Sequence, residues 1–253
     1  MGVAARNGVT AGLLAERGFG GPQGIFDSMK YNRKTKSSVS EANIFDAFSG
    51  TMHLEELTRN LGAELYIERA DGFKQYPCCG DIHSGIDALL EILNERNLHP
   101  NEIAQITHQV KATRRPVIDN NPLRSHCAQY IMAVAAVDRE IRWDDFLRDR
   151  RGEPAIGAMV QKVHLVDSPE LSNSPAAAPA IVEVQTTSGQ TFFKRVDFTK
   201  GRSENPFSQA ELEAKFVKWA APVVGEARAL EIIATVQLLE KLTDICELIE
   251  LMH

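Results

Sequence analysis

Residues 180–198 read AIVEVQTTSGQTFFKRVDF. Two runs rich in β-branched and aromatic residues, Ala180 to Thr186 and Thr191 to Phe198, flank Ser188-Gly189. Such a pattern predicts two antiparallel strands joined by a hairpin, because glycine frees the backbone for a tight turn. Upstream, Pro169 to Pro179 is rich in Ser, Ala and Pro and reads as an outer loop. Ile103 to Val110 alternates like a further strand. Asp81 to Asn97 reads as a helix with Ile82, Ile86, Leu89, Leu90 and Leu93 on one face, and Gly80 or Asp81 stands where a cap would sit. Ser125 to Val137 reads as an apolar helix. The stretch 72–205 is therefore expected to form an α+β module with antiparallel strands and two helices.

The flanks have a different rhythm. Val3, Ala4, Ala5, Val9, Leu13 and Leu14 recur at helical spacing from the first residues and stop at Gly18, with Gly20-Gly21-Pro22 behind. Lys30 to Ser40 is a polar loop, His53 to Asn60 a short helix and Glu64 to Glu68 a short strand. After Asn205-Pro206 the chain turns helical again. Ser208 and Glu211 form a capping box opening a helix to Ala220. Gly225 to Met252 has no interior Gly or Pro and spaces Ile232, Thr235, Leu239, Leu242, Cys246 and Ile249 by threes and fours, predicting one long amphipathic helix. The expected organisation is a discontinuous helical domain, 1–71 and 206–253, interrupted by the α+β module.

The 253 residues are 43% hydrophobic and 25% charged, the composition of a folded domain. A net charge of -6 argues against a nucleic-acid partner. No apolar run is long enough for a membrane span. The start, MGVAARNG, has no basic-then-apolar leader, and Arg6 stands where a myristoylation motif requires Ser or Thr. Four irregularly placed cysteines, Cys78, Cys79, Cys127 and Cys246, do not make a disulfide scaffold, so a reducing cytoplasm is the expected setting.

Two clusters carry potential chemistry. One is Phe73-Lys74-Gln75-Tyr76-Pro77-Cys78-Cys79-Gly80, followed by Asp81 and His83; the other is Ser125-His126-Cys127-Ala128-Gln129-Tyr130. Both sit at helix starts, where free N–H groups favour anions. Their C-C and H-C pairs lack the spacing of a structural zinc site, so no metal is assigned. A Cys79–His83 nucleophilic pair has no third orienting group, and buried unreactive cysteines are the simpler reading. Lys74 stands at an expected domain junction, where clefts form; the alternative is a surface lysine in a linker.

These stretches resemble the MmgE/PrpD family, whose members include 2-methylcitrate dehydratase, cis-aconitate decarboxylase and iminodisuccinate epimerase. The resemblance is carried by Gly2-Val3-Ala4-Ala5-Arg6-Asn7-Gly8 running into Leu14 to Phe19, by Phe73 to Cys79 with His83, by His126 to Tyr130, and by Lys215-Phe216 through Ala221-Pro222 to the final helix. It implies a helical domain split by an inserted α+β lid. It also implies a helical half ahead of Met1 that supplies further catalytic residues, so the chain is expected to be a C-terminal fragment.

On the same resemblance Lys74 corresponds to an active-site lysine and Tyr130 to an active-site tyrosine. His126 and Gln129 share the H-C-x-Q-Y motif of the dehydratase branch and join Cys79 as substrate-binding positions. At Cys79 decarboxylase-like members carry histidine and dehydratase-like members glutamate. The implied activity is a lyase of the 2-methylcitrate dehydratase type, in propionate catabolism. It would move a proton beside a carboxylate of a small di- or tricarboxylate, as a homodimer, with no cofactor and no iron–sulfur cluster. Lys74 would neutralise the carboxylate and Tyr130 donate or relay the proton, with His83 orienting them or packing on the lid helix; a core role remains the alternative for Tyr130. An epimerase or decarboxylase on a related acid, or an inactive interaction fragment, are the other readings.

Overall fold

The alternation at residues 180–198 becomes a hairpin in the computed structural model, whose described residues are 2–21, 29–30, 41–42, 54–63 and 72–252. The chain divides into two units, Met1–Leu65 and Tyr66–His253. In the first, Gly2–Glu16 is helical and ends as expected at Gly18, whose φ of +79° suits only glycine. Met29–Lys30 pairs antiparallel with Glu41–Ala42, and Leu54–Thr58 forms a short helical stretch inside the expected 53–60. The expected loop between Lys30 and Ser40 and the expected strand at 64–68 lie outside the described residues.

The second unit is built on a four-stranded sheet. Its elements are α1 (His83–Glu95), β1 (Ile103–Val110), α2 (Ala128–Asp138), α3 (Pro154–Val160), β2 (Val163–Asp167), β3 (Ala180–Thr186), β4 (Thr191–Val196), α4 (Gln209–Val224) and α5 (Glu226–Gln237). Strand order is β2-β1-β3-β4. β1 pairs antiparallel with β3 (Ile106 opposite Val184), and β3 with β4 (Ala180 opposite Val196). Gly189, at φ +85°, turns the hairpin.

The sheet is mixed rather than antiparallel throughout, because β2 runs parallel to β1 with Ile106 opposite Val163. A parallel pair requires a crossover, and the helical stretch from Arg115 to Val160 supplies it. The short run VHLVD showed too little alternation to be read as a strand, and α3, from Pro154, also went unread. The 169–179 segment contains one helical turn, Pro169–Ser172, capped by the Ser168 hydroxyl accepting from the Leu171 N–H.

The core lies between the sheet and α1 with α2. Ile86, Leu89, Ile92 and Leu93 of α1 are buried against β3 and β4, each gaining about 1.5–3 kcal/mol from leaving water. α2 is buried from Ala128 through Ala136, as its all-round apolar sequence requires. Among the described residues no helix is long and apolar enough to cross a membrane.

The capping box forms as read: Ser208 Oγ accepts from the Glu211 N–H at 3.3 Å while Glu211 Oε2 accepts from the Ser208 N–H at 2.8 Å. The long helix expected over 225–252 does not persist. α5 ends at Gln237, Leu239–Lys241 is a 3-10 turn, Leu242 is extended, and Cys246–Glu250 starts a separate helix. Asp244 explains the restart: its side chain accepts from the Cys246 N–H at 2.8 Å, a local bond that competes with helix continuation. α4 and α5 pack across Gly225 and leave between them an apolar groove of about 570 Å³.

Candidate functional site

Two backbone segments meet ahead of α1. One is the irregular stretch 72–79, which carries Lys74; the other is the turn at 199–205, closed by the Gly201 N–H to Asn205 O bond at 2.8 Å. They are joined where the Phe73 N–H donates to Gly201 O at 3.0 Å. Only glycine permits this approach. A Cβ on Gly72 would stand 1.7 Å from Gly201 O, and one on Gly201 would stand 1.9 Å from Phe73 O, with φ already at +94°. Gly201→Ala should therefore separate the segments and lower stability by about 1–3 kcal/mol, read as a lowered urea midpoint.

Between them lies a cleft of about 140 Å³ whose walls include Lys74, His83, Thr199, Lys200 and Arg202. Three of these are cations, and no carboxylate lines the cleft among the described residues. Lys74 is solvent-exposed, and its Nζ donates to Cys78 O at 3.0 Å. His83 Nε2 lies 3.4 Å from the same carbonyl, so one acceptor holds both side chains. Lys200 is paired with Glu211 at 2.9 Å outside the cleft. Lys74 and Arg202 have no carboxylate partner among the described residues.

His83 is buried, and its ring meets Tyr76 edge-on with centroids 5.3 Å apart. Burial pushes its pKa down to about 4, and the nearby Lys74 and Arg202 charges push the same way. It is neutral at pH 7 and adds no fourth charge. The thiols of Cys78 and Cys79 are both driven up in pKa, chiefly by burial, which keeps them protonated and poor nucleophiles.

The structure thus brings Lys74 and His83 together, with Cys79 adjoining through Gly80 and tied to the second cluster by its N–H to Ser125 O at 2.8 Å. It places the rest of the second cluster elsewhere. His126, half-buried in a 3-10 turn, has Nδ1 3.1 Å from Ser125 Oγ. Gln129 donates to Asp119 at 2.7 Å and accepts from the Asn120 N–H at 2.9 Å, lining a different cleft with Arg115 and His164. Tyr130 is fully buried and its hydroxyl donates to Asp145 O at 2.7 Å. Tyr130 does not line the cleft that holds Lys74, and its buried, hydrogen-bonded phenol has the surroundings of the core role that was its alternative reading.

Thr199, Lys200 and Arg202 were not found from sequence. The only signal was a Thr-Lys-Gly-Arg turn between the last strand and the Ser208 capping box, which reads equally well as a solvated loop. Among the described residues, no three His, Cys, Asp or Glu side chains are placed to hold a metal ion.

Cis-aconitate decarboxylase of Aspergillus terreus is 26% identical over 273 aligned residues that take in 100% of this chain and 53% of that protein. The cis-aconitate decarboxylase-like protein oryM of Aspergillus oryzae is 26% identical over 266, covering 98% and 53%. The chain spans about half the length of these curated relatives. The family model for the MmgE/PrpD C-terminal domain matches residues 76–241, from Tyr76 ahead of α1 through β1–β4 and on past α5. That match takes in most of the chain, and the chain belongs to the MmgE/PrpD family.

Proposed function

We propose that the cleft between Lys74 and Arg202 binds a small di- or tricarboxylate and that the chain contributes it to a lyase. The carrying observation is the convergence of Lys74, Lys200 and Arg202 on one small cleft, two of them without a carboxylate partner among the described residues. A carboxylate about 4 Å from one such cation gains about 4 kcal/mol at an effective dielectric near 20, before desolvation is counted. Arg202 can take one carboxylate through its planar fork, and Lys74 can meet a second as a point charge.

The chemistry follows from the same charges. Breaking a bond at carbon beside a carboxylate moves negative charge onto that group. Preplaced cations stabilise the charge more in the transition state than in the ground state. The relatives' name points to loss of CO₂ from a tricarboxylate, whereas the His126-Cys127-Ala128-Gln129-Tyr130 motif favours loss of water of the 2-methylcitrate dehydratase type. Loss of CO₂ breaks the carbon–carboxylate bond and needs a proton delivered to the carbon, whereas loss of water removes a proton beside a carboxylate and protonates the departing hydroxide. In both, the same cations can hold the substrate's remaining carboxylates. In this reading residues 72–205 act as a lid inserted in a helical domain.

Calorimetry with citrate, cis-aconitate and 2-methylcitrate tests the reading on the chain itself. We expect binding that weakens with salt, and at least a tenfold loss of affinity in Lys74→Ala and in Arg202→Gln, equivalent to about 1.4 kcal/mol or more. Binding unchanged by both substitutions would overturn it. Mass analysis of products from the longer protein then separates CO₂ loss from water loss.

A further inference from the structure

The two walls of the cleft are tied together from behind. Asp87, one helical turn after His83 on the same face of α1, accepts a hydrogen bond from Tyr76 Oη at 2.6 Å and another from Thr199 Oγ1. Tyr76 belongs to the segment carrying Lys74, and Thr199 to the turn carrying Lys200 and Arg202. The Tyr76 ring also stands edge-on to His83, so Asp87 reaches the cleft along two routes. We propose that Asp87 is the positioning residue of the cationic cleft: its carboxylate fastens the Lys74 segment to the Arg202 turn and, through Tyr76, fixes the His83 ring.

Several facts converge on this role. Asp87 is acceptor-only when ionised, which lets one carboxylate take both hydroxyls at once. Its two oxygens are used separately, Oδ1 by Tyr76 and Oδ2 by Thr199, so losing the residue removes both of these ties at once and leaves the Phe73–Gly201 bond to join the walls. Thr199 is buried and lies directly on the cleft, and Gly201, two residues on, makes the close approach to Phe73. Asp87 itself does not line the cleft, so its effect on a ligand passes through Tyr76 and Thr199. The proposal rests on the reading of the cleft as an anion site.

A purely structural carboxylate and a positioning one differ in what they do to His83. Removing a negative charge nearby, with the geometry kept, would make His83 harder to protonate. Releasing Tyr76 would instead admit water to the His83 ring and move its titration midpoint up from about 4 toward the ordinary histidine value.

The experiment follows the His83 ring resonances by NMR against pH in the full chain, assigned by difference with His83→Gln, together with citrate affinity. Asp87→Asn should raise the His83 midpoint by about one pH unit and weaken citrate about tenfold, while Glu95→Gln at the far, exposed end of α1 changes neither. Tyr76→Phe, which keeps the ring and loses only the hydroxyl, should shift His83 in the same direction by less. It decides the matter should Asp87→Asn fail to fold. A His83 midpoint that stays or falls in both variants overturns the proposal, whatever happens to citrate. A raised midpoint in a chain that never binds citrate or the other acids would leave the Asp87 role standing and remove the anion-site reading.

Discussion

Arg150→Met should cost about 3–5 kcal/mol of stability, seen as a lower urea midpoint with an unchanged slope. The Arg150 side chain is 9% exposed and meets three carboxylates: Nη1 lies 2.5 Å from Asp138 and 2.7 Å from Asp145, and Nη2 lies 2.9 Å from Glu153. Asp145 is 3% exposed at its side chain, and its other oxygen accepts from the Arg142 N–H at 2.7 Å. Deleting the guanidinium strands that carboxylate in the interior, which costs far more than the net worth of an intact pair. The damage extends to α2, because Tyr130 anchors its hydroxyl on the Asp145 carbonyl.

Two companion variants separate the causes. Arg150→Lys keeps a charge but cannot fork across three acceptors, so it should recover less than half of the loss. Arg150→Met with Asp145→Leu removes the stranded charge and should be more stable than Arg150→Met alone. If the double variant is instead worse by the sum of the singles, uncompensated burial is not the cause.

What could be read ahead of the structure follows from range. The hairpin at Ser188-Gly189, the Ser208–Glu211 capping box and the stop at Gly18 are local rules, and each formed as its residues require. β2 was missed because its partner, β1, is supplied from more than fifty residues upstream across a helical crossover. The 225–252 stripe was periodic, yet α5 stops at Gln237 and helix resumes only at Cys246, where the Asp244 side chain takes the N–H by a bond that periodicity does not register. The site divides the same way. Lys74, Cys79 and His83 sit on one continuous segment, so the sequence offers them together as candidates. Arg202 and Thr199 reach them through the Gly72–Gly201 approach and the Asp87 hydrogen bonds, neither of which leaves a readable pattern in sequence. Tyr130 was placed by motif, and only packing reveals that its hydroxyl points to Asp145.

His108 should control a large share of the protein's acid sensitivity. It lies on β1 between Ile106 and Val110, on the buried face, fully enclosed and with neither ring nitrogen hydrogen-bonded. Burial alone drives its pKa down to about 4, against about 6.5 in an unfolded chain. Between those values the unfolded chain takes up a proton that the folded chain refuses, so stability falls as pH drops through that window. The loss from His108 reaches roughly 3 kcal/mol near pH 4. His83, also depressed to about 4, adds to the decline in the same window. Asp87 works against it, since burial raises its carboxyl and lets the folded state bind that proton first. His108→Leu, similar in volume and with no polar atom to strand, should match or exceed the parent at pH 7 and surpass it by about 2–3 kcal/mol at pH 4.5. Parallel acid limbs for parent and variant would refute this. The ring's enclosure supplies an independent check. A Cβ on Gly85 of α1 would stand 2.4 Å from His108 Nε2, so Gly85→Ala must displace either the helix or the strand and should destabilise by at least about 1–3 kcal/mol. Shortening the ring removes that collision, so Gly85→Ala with His108→Ala should be less destabilised than the two singles added together, because the methyl then occupies space the imidazole has left.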